Sequence, residues 1–308
     1  DNIYYPAIVL AFLLCFRASG CMDRYKEGMR TAFEMQKTLR EVAFEVITKV
    51  SVDEDVQHEL ECERLQKVSD SLKKKYLKHE FRRLCRLLFA CAARDLNDSA
   101  LEEEEPSDSD ASRLHFAATE VEYAAIRVTH SAFGHAFRVY LVAAWLLKTI
   151  QHADAAGLLD GEDVSLVAAD KLNQFKEAWM DARQVAYTGM PFNITHLLWT
   201  MTTVMNMFMP WALVTQCRWT TWFPSLLLTI SFYGILQIAN AMENPFGFDA
   251  EDIQIWEIAD HLDEEVCLTM HYAVLDEVGG ENLYRGMMDD DLVFLGKAYA
   301  SVYGDEDV

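Results

Sequence analysis

Asn244-Pro245-Phe246-Gly247-Phe248-Asp249-Ala250-Glu251-Asp252 sets hard oxygen donors directly behind an apolar run, which is the chemistry of a cation site. Calcium takes about six to eight oxygens. A loop that follows a proline-ended helix offers freed backbone carbonyls, here those of Ala241 and Asn244, beside the carboxylates of Asp249 and Asp252. The histidines make a poorer constellation. His130 and His135, or His261 with Glu264, Glu265 and His271, could be ligands of a carboxylate-bridged metal in a membrane oxidase. Such a centre needs Glu-x-x-His pairs on two helices, and they are absent, so these are core or surface histidines. Gly-rich phosphate loops, a nucleophile elbow and paired catalytic carboxylates are also missing, which argues against an enzyme and leaves no catalytic residue to name.

The elements that must hold the acidic loop are apolar and long. Between Arg218 and Glu243 lie 24 residues without a formal charge, and from Gln184 to Cys217 another 34. A membrane helix needs about 20 apolar residues. With only Arg218 between the two stretches, residues 191–243 should form a transmembrane helical hairpin, with Trp211, Trp219 and Trp222 near the interface. Residues 2–16 make a third, shorter uncharged segment of 15 residues. Charged residues are 25% of the chain, net charge is −22 and mean hydropathy is −0.02. Most of the mass therefore belongs outside the bilayer. The acidity argues against nucleic acid and against an anionic lipid surface as the main partner, because each needs a basic footprint. Seven cysteines without a CxxC pair suggest neither a disulfide framework nor zinc, and they fit a reducing compartment.

Elsewhere the pattern is helical. Met29, Phe33, Leu39, Val42, Ala43, Val46, Ile47 and Val50 recur at a helical period, as do Leu72, Tyr76, Leu84, Leu87, Leu88 and Cys91. Asp163 is placed to cap a helix carrying Val164, Val167, Leu172, Phe175, Trp179 and Val185. The run Glu102–Glu105 and its Ser/Asp-rich neighbours predict a disordered acidic loop over 96–112. Sustained period-two alternation is absent, so the expected fold class is all-α.

Three separated motifs carry a resemblance. Phe16-Arg17-Ala18-Ser19 followed by Asp23-Arg24-Tyr25 and Glu27, then Thr188-Gly189-Met190-Pro191-Phe192, then Asn244-Pro245-Phe246-Gly247 with Asp249 and Asp252, stand in an order and spacing similar to the bestrophin family of ion channels. The resemblance implies a homopentamer with one axial pore, a second membrane helix lining a hydrophobic neck, and a cytosolic helical vestibule that narrows again at an aperture. Carried over, the neck falls on Ile8, Phe12 and Phe16, whose spacing of four puts them on one helix face. Symmetry would stack them as three apolar rings, a gate that excludes water when narrow. Counting back from Pro191, the aperture falls near Val164 or Leu166, where helix amino termini would favour an anion while Glu162 and Asp163 would repel it.

In the family the Ala241, Asn244, Asp249 and Asp252 positions form a calcium clasp around the vestibule. Phe248 stands where animal members carry an acidic residue. The family's amino-terminal segment and first membrane helix are not represented, which implies a piece of a longer polypeptide, such as a domain fused to an upstream one as in algal rhodopsin fusions. The expected layout is a pore-lining membrane helix over 1–27, a cytosolic helical domain over 28–190, the hairpin over 191–243, and the acidic clasp loop with a C-terminal helix and tail over 244–308. The expected protein is an integral membrane channel of a plasma, organellar or thylakoid membrane, its bulk cytosolic or stromal. It should pass chloride and other monovalent anions, with calcium biasing the opening. The alternatives are a cation-selective channel or a non-conducting regulatory subunit that works with an upstream domain; lipid and other copies of itself are the remaining partners.

Overall fold

Tyr4–Lys49 forms one unbroken helix, α1, because nothing within it stops a helix: Pro6 sits in the first turn, where a missing N–H costs nothing. Its last turn ends where Asp160 N donates to Lys49 O at 2.6 Å and Val50 bridges to Leu159. The structure is a computed structural model and describes residues 4–50, 61–98, 118–133, 136–161, 163–247 and 251–275. The expected acidic loop lies largely outside them, as do Glu162, Asp249 and the tail. The further helices are α2 (Glu61–Asp98), α3 (Glu120–Phe133), α4 (Ala136–Ala155), α5 (Val164–Tyr187), α6 (Phe192–Cys217), α7 (Trp222–Ala241) and α8 (Ile255–Leu275). The described residues contain no strand beyond the single bridge, so the fold is all-helical.

Two apolar cores share α1. The larger lies in the helical domain, where Leu39, Val42, Val46 and Ile47 pack with buried residues of α2, α4, α5 and α8. Phe89 and Phe175 meet at 6.4 Å between centroids, and Tyr140 stands edge-on to buried Trp179 at 5.5 Å. The smaller joins Leu10 and Leu14 of α1 to Leu198 of α6 and to Phe232 and Leu236 of α7. A membrane hairpin needs little internal core, since lipid tails are as apolar as its own side chains. Three helices, over Tyr5–Lys49, Phe192–Thr215 and Arg218–Ala241, are long and apolar enough to cross a membrane. In α1 the uncharged part ends at Phe16, and the helix continues without interruption through residues 27 and 28 to Lys49.

Local chemistry explains the ends. At α3, Thr119 and Glu122 form a reciprocal capping box: Glu122 N donates to Thr119 Oγ1 at 3.4 Å and Thr119 N to Glu122 Oε2 at 2.9 Å. Arg218 turns the hairpin with φ 50 at the start of the short 3-10 turn Arg218–Thr220. Several expectations need correction. Asp163 does precede α5, but it is left-handed with φ 69 and its side chain makes no capping bond. Met29, Phe33 and Tyr76 are exposed, and only the remaining described members of those two stripes are buried. Periodicity finds an apolar face without saying whether protein, lipid or another copy covers it.

Among the described residues six cysteines are free thiols. Burial pushes the Cys91 thiol up to about 12, which keeps it protonated and inert.

Candidate functional site

Ile8, Phe12 and Phe16 form one stripe on α1 and are 64%, 69% and 73% exposed in the single chain. The opposite face of the same helix buries Leu10, Leu14, Arg17 and Cys21 against the hairpin. The three side chains thus share a face that none of the described residues covers. Toward the helical domain the same face becomes polar at Ser19, Asp23, Lys26 and Arg30.

Where α1 leaves the apolar zone, the three motifs meet. Arg17, 2% exposed, donates from Nη2 to Asn240 Oδ1 at 2.6 Å and to Glu243 Oε2 at 2.9 Å. The other Glu243 oxygen, Oε1, accepts from Met190 N at 3.2 Å. One carboxylate therefore ties α1 to the strap between α5 and α6. Arg24 completes the knot: Nη2 donates to Val185 O at 2.8 Å and Glu243 O at 3.2 Å, while Nη1 donates to the Thr188 carbonyl. These carbonyls belong to the C-terminal ends of α5 and α7, where unpaired acceptors and the negative end of the helix dipole favour a cation.

The acidic loop is fastened to the same junction. Ile253 N donates to Pro245 O at 2.9 Å, and Tyr25 OH donates to Glu251 O at 3.1 Å. With the Asn97 amide oriented to suit both neighbours, it donates to Phe246 O at 3.3 Å and accepts from Trp256 Nε1 at 3.0 Å. Two glycines permit the packing. A Cβ at Gly28 would lie 2.9 Å from the Pro245 ring, and one at Gly247 would collide with the Asp252 carboxylate.

The loop's donor set is oxygen throughout. Pro245 has no N–H to return to Ala241 O, Asn244 Oδ1 is buried without a hydrogen bond, and Asp252 is 8% exposed. Asp249 lies outside the described residues. Among the described residues no three His, Cys, Asp or Glu side chains come together as a metal site. Carbonyl and amide oxygens with a carboxylate suit a hard cation such as calcium rather than zinc or iron. Of the two residues expected at an aperture, Val164 is 2% exposed and packs in the large core, whereas Leu166 is 67% exposed. The helix period separates them by two positions, so only Leu166 faces outward. His261 is exposed beside Glu264 at 3.5 Å, and the side chains of His130, His135 and His271 lie outside those described.

In the sequence Arg17 and Arg24 stand out only as parts of a motif, and Glu243 only as the end of an apolar run. The available signal was a lone charge at each border of an uncharged stretch, because a charge there must find a partner. Asp95 does not stand out in the sequence either; it is fully buried on α2 with Arg183 Nε at 3.2 Å from its Oδ2.

Comparison with known proteins agrees with this arrangement. The helical arrangement resembles that of a bacterial bestrophin homologue from Klebsiella pneumoniae, with a TM-score of 0.68 at 15% identity over 87% of this chain and 86% of that one. A point variant of that homologue gives 0.67 at 15% identity, over 90% and 87% of the two chains. A voltage-dependent anion channel-forming protein of Escherichia coli K12, YneE, is 29% identical over 86 residues, a match that spans 28% of each chain. The sequence model of the bacterial and fungal bestrophin proteins matches residues 2–267, a span that contains every motif gathered at the junction, and the chain belongs to the bestrophin family.

Proposed function

We propose that this membrane protein is a channel that conducts chloride and other monovalent anions passively through the axis of a homopentamer. The observation that carries this reading is the apolar stripe of Ile8, Phe12 and Phe16, exposed on the side of α1 away from the hairpin. Fivefold repetition would turn it into stacked hydrophobic rings, a neck that dewets when narrow and lets partly hydrated ions through when it dilates. The family and the partial likeness to an anion channel-forming protein support anions as the permeant class. Leu166 would line the second constriction, with the buried Val164 holding its helix in place.

Calcium would be held by Ala241 O, Asn244, Asp249 and Asp252, and it would supply a fixed positive charge that stiffens the loop. Because that loop is tied through Glu243 and Arg24 to α1, occupancy would bias the equilibrium of the helix that carries the neck. The helical domain would then lie in the cytosol or stroma. Reconstitution in planar bilayers under a chloride gradient tests the reading, with and without a calcium chelator. Current reversing near the chloride potential supports it, and reversal near the cation potential overturns the selectivity. A verified pentamer that passes no current under either condition overturns conduction and favours a regulatory subunit.

A further inference from the structure

We propose that a small monovalent anion, a halide, binds behind α1 at Arg17, off the path lined by Ile8, Phe12 and Phe16. Arg17 is 2% exposed, and although Nη2 is doubly bonded, its Nε and Nη1 are buried with no hydrogen-bond partner. Buried guanidinium donors without acceptors are costly, so these donors call for a ligand that accepts. Thr195 Oγ1 is a second buried polar atom with no partner. In sequence it stands between Met190, which approaches Gly20, and Leu198, which shares the smaller core with Leu14, so its register along α1 falls between Leu14 and Gly20, the stretch that holds Arg17.

Charge decides between an anion and a water. Arg17, Arg24 and Glu243 all act on the buried Cys21 thiol, which also meets the Arg17 side chain as a weak hydrogen-bond partner. Arg17 is matched by Glu243, but Arg24 is held by backbone carbonyls alone and forms no ion pair with a carboxylate among the described residues. Arg17, Arg24 and Glu243 taken by themselves sum to one positive charge. A water would fill the hydrogen bonds and leave that charge, whereas a halide satisfies both. The ligand must be small, because the Arg17 and Thr195 donors are all buried.

Thermal unfolding of the full chain in detergent, with chloride replacing gluconate at fixed ionic strength, reads the site without passing current. It stays interpretable whether or not the channel reading holds. A saturable rise in Tm with chloride is expected. Arg17→Gln also breaks the ion pair with Glu243, so the diagnostic variant is Thr195→Val, which should shift the chloride midpoint upward by about tenfold, the loss of one hydrogen bond to a charged group. Crystals grown in bromide should show an anomalous peak beside Arg17 Nε and Nη1. A chloride-independent Tm, an unchanged midpoint in Thr195→Val, or water alone at the guanidinium overturns the proposal.

Discussion

Glu243 is the residue on which the junction turns, since its two oxygens bind Arg17 and Met190 N while its carbonyl receives Arg24. Glu243→Gln would leave Arg17 buried without its counter-charge, and breaking a buried pair from one side costs about 3–5 kcal/mol. Thermal unfolding in detergent should show this as a large drop in Tm, far beyond the effect of removing an exposed pair such as Arg30–Glu27. Gly247→Ala should cost about 1–3 kcal/mol, because the new methyl collides with the Asp252 carboxylate. Glu122 gives a pH signature. Burial pushes its carboxyl up, but Arg83 at 2.7 and 2.8 Å and the Thr119 amide and hydroxyl together outweigh burial and hold it below the usual carboxylate range. Its stabilisation is therefore present above the unfolded-state value and disappears as pH falls through the lower folded-state one. Unfolding midpoints between about pH 5 and pH 3 should fall less steeply in Glu122→Gln than in the native chain. The pairing of Glu243 with Arg17 could not be read from residue types, because it joins segments 226 residues apart in the chain.

Helices were the most legible level. The uncharged stretches on either side of Arg218 became α6 and α7, since run length against bilayer thickness is a property of the linear sequence. Local exceptions were less visible. Asp163 satisfies the residue preference of an N-cap yet adopts φ 69 and makes no side-chain capping bond, a left-handed turn that residue preference does not reveal. Asp163→Gly should raise stability by about 0.5–1 kcal/mol by relieving a left-handed non-glycine residue, and circular dichroism melts would register it. Met29, Phe33 and Tyr76 matched the helical period but lie outside the core. Period reports a face, and the neighbour of that face is a matter of assembly.

For the whole molecule, the exposed stripe at Ile8, Phe12 and Phe16 has consequences only if several copies surround one axis. Native mass spectrometry of the detergent-solubilised chain should return five copies, and a monomer would remove the rings altogether. In a conducting pentamer, Phe12→Ala should widen the middle ring and raise chloride current at fixed voltage by roughly severalfold. The same substitution should leave Tm nearly unchanged, because Phe12 is 69% exposed and makes no part of either core.

The sequence by itself determined an all-helical protein, the long apolar helices suited to a membrane and the family to which it belongs. Those follow from charge spacing, apolar period and short motifs, all of which are one-dimensional. Only the tertiary structure decided that the three motifs are a single junction, with Arg17 bound to Glu243 across 226 residues of chain. It also decided that Val164 is core while Leu166 is surface. Pairings and burial depend on which helix faces meet, and that is set by packing the whole chain at once rather than by any segment alone.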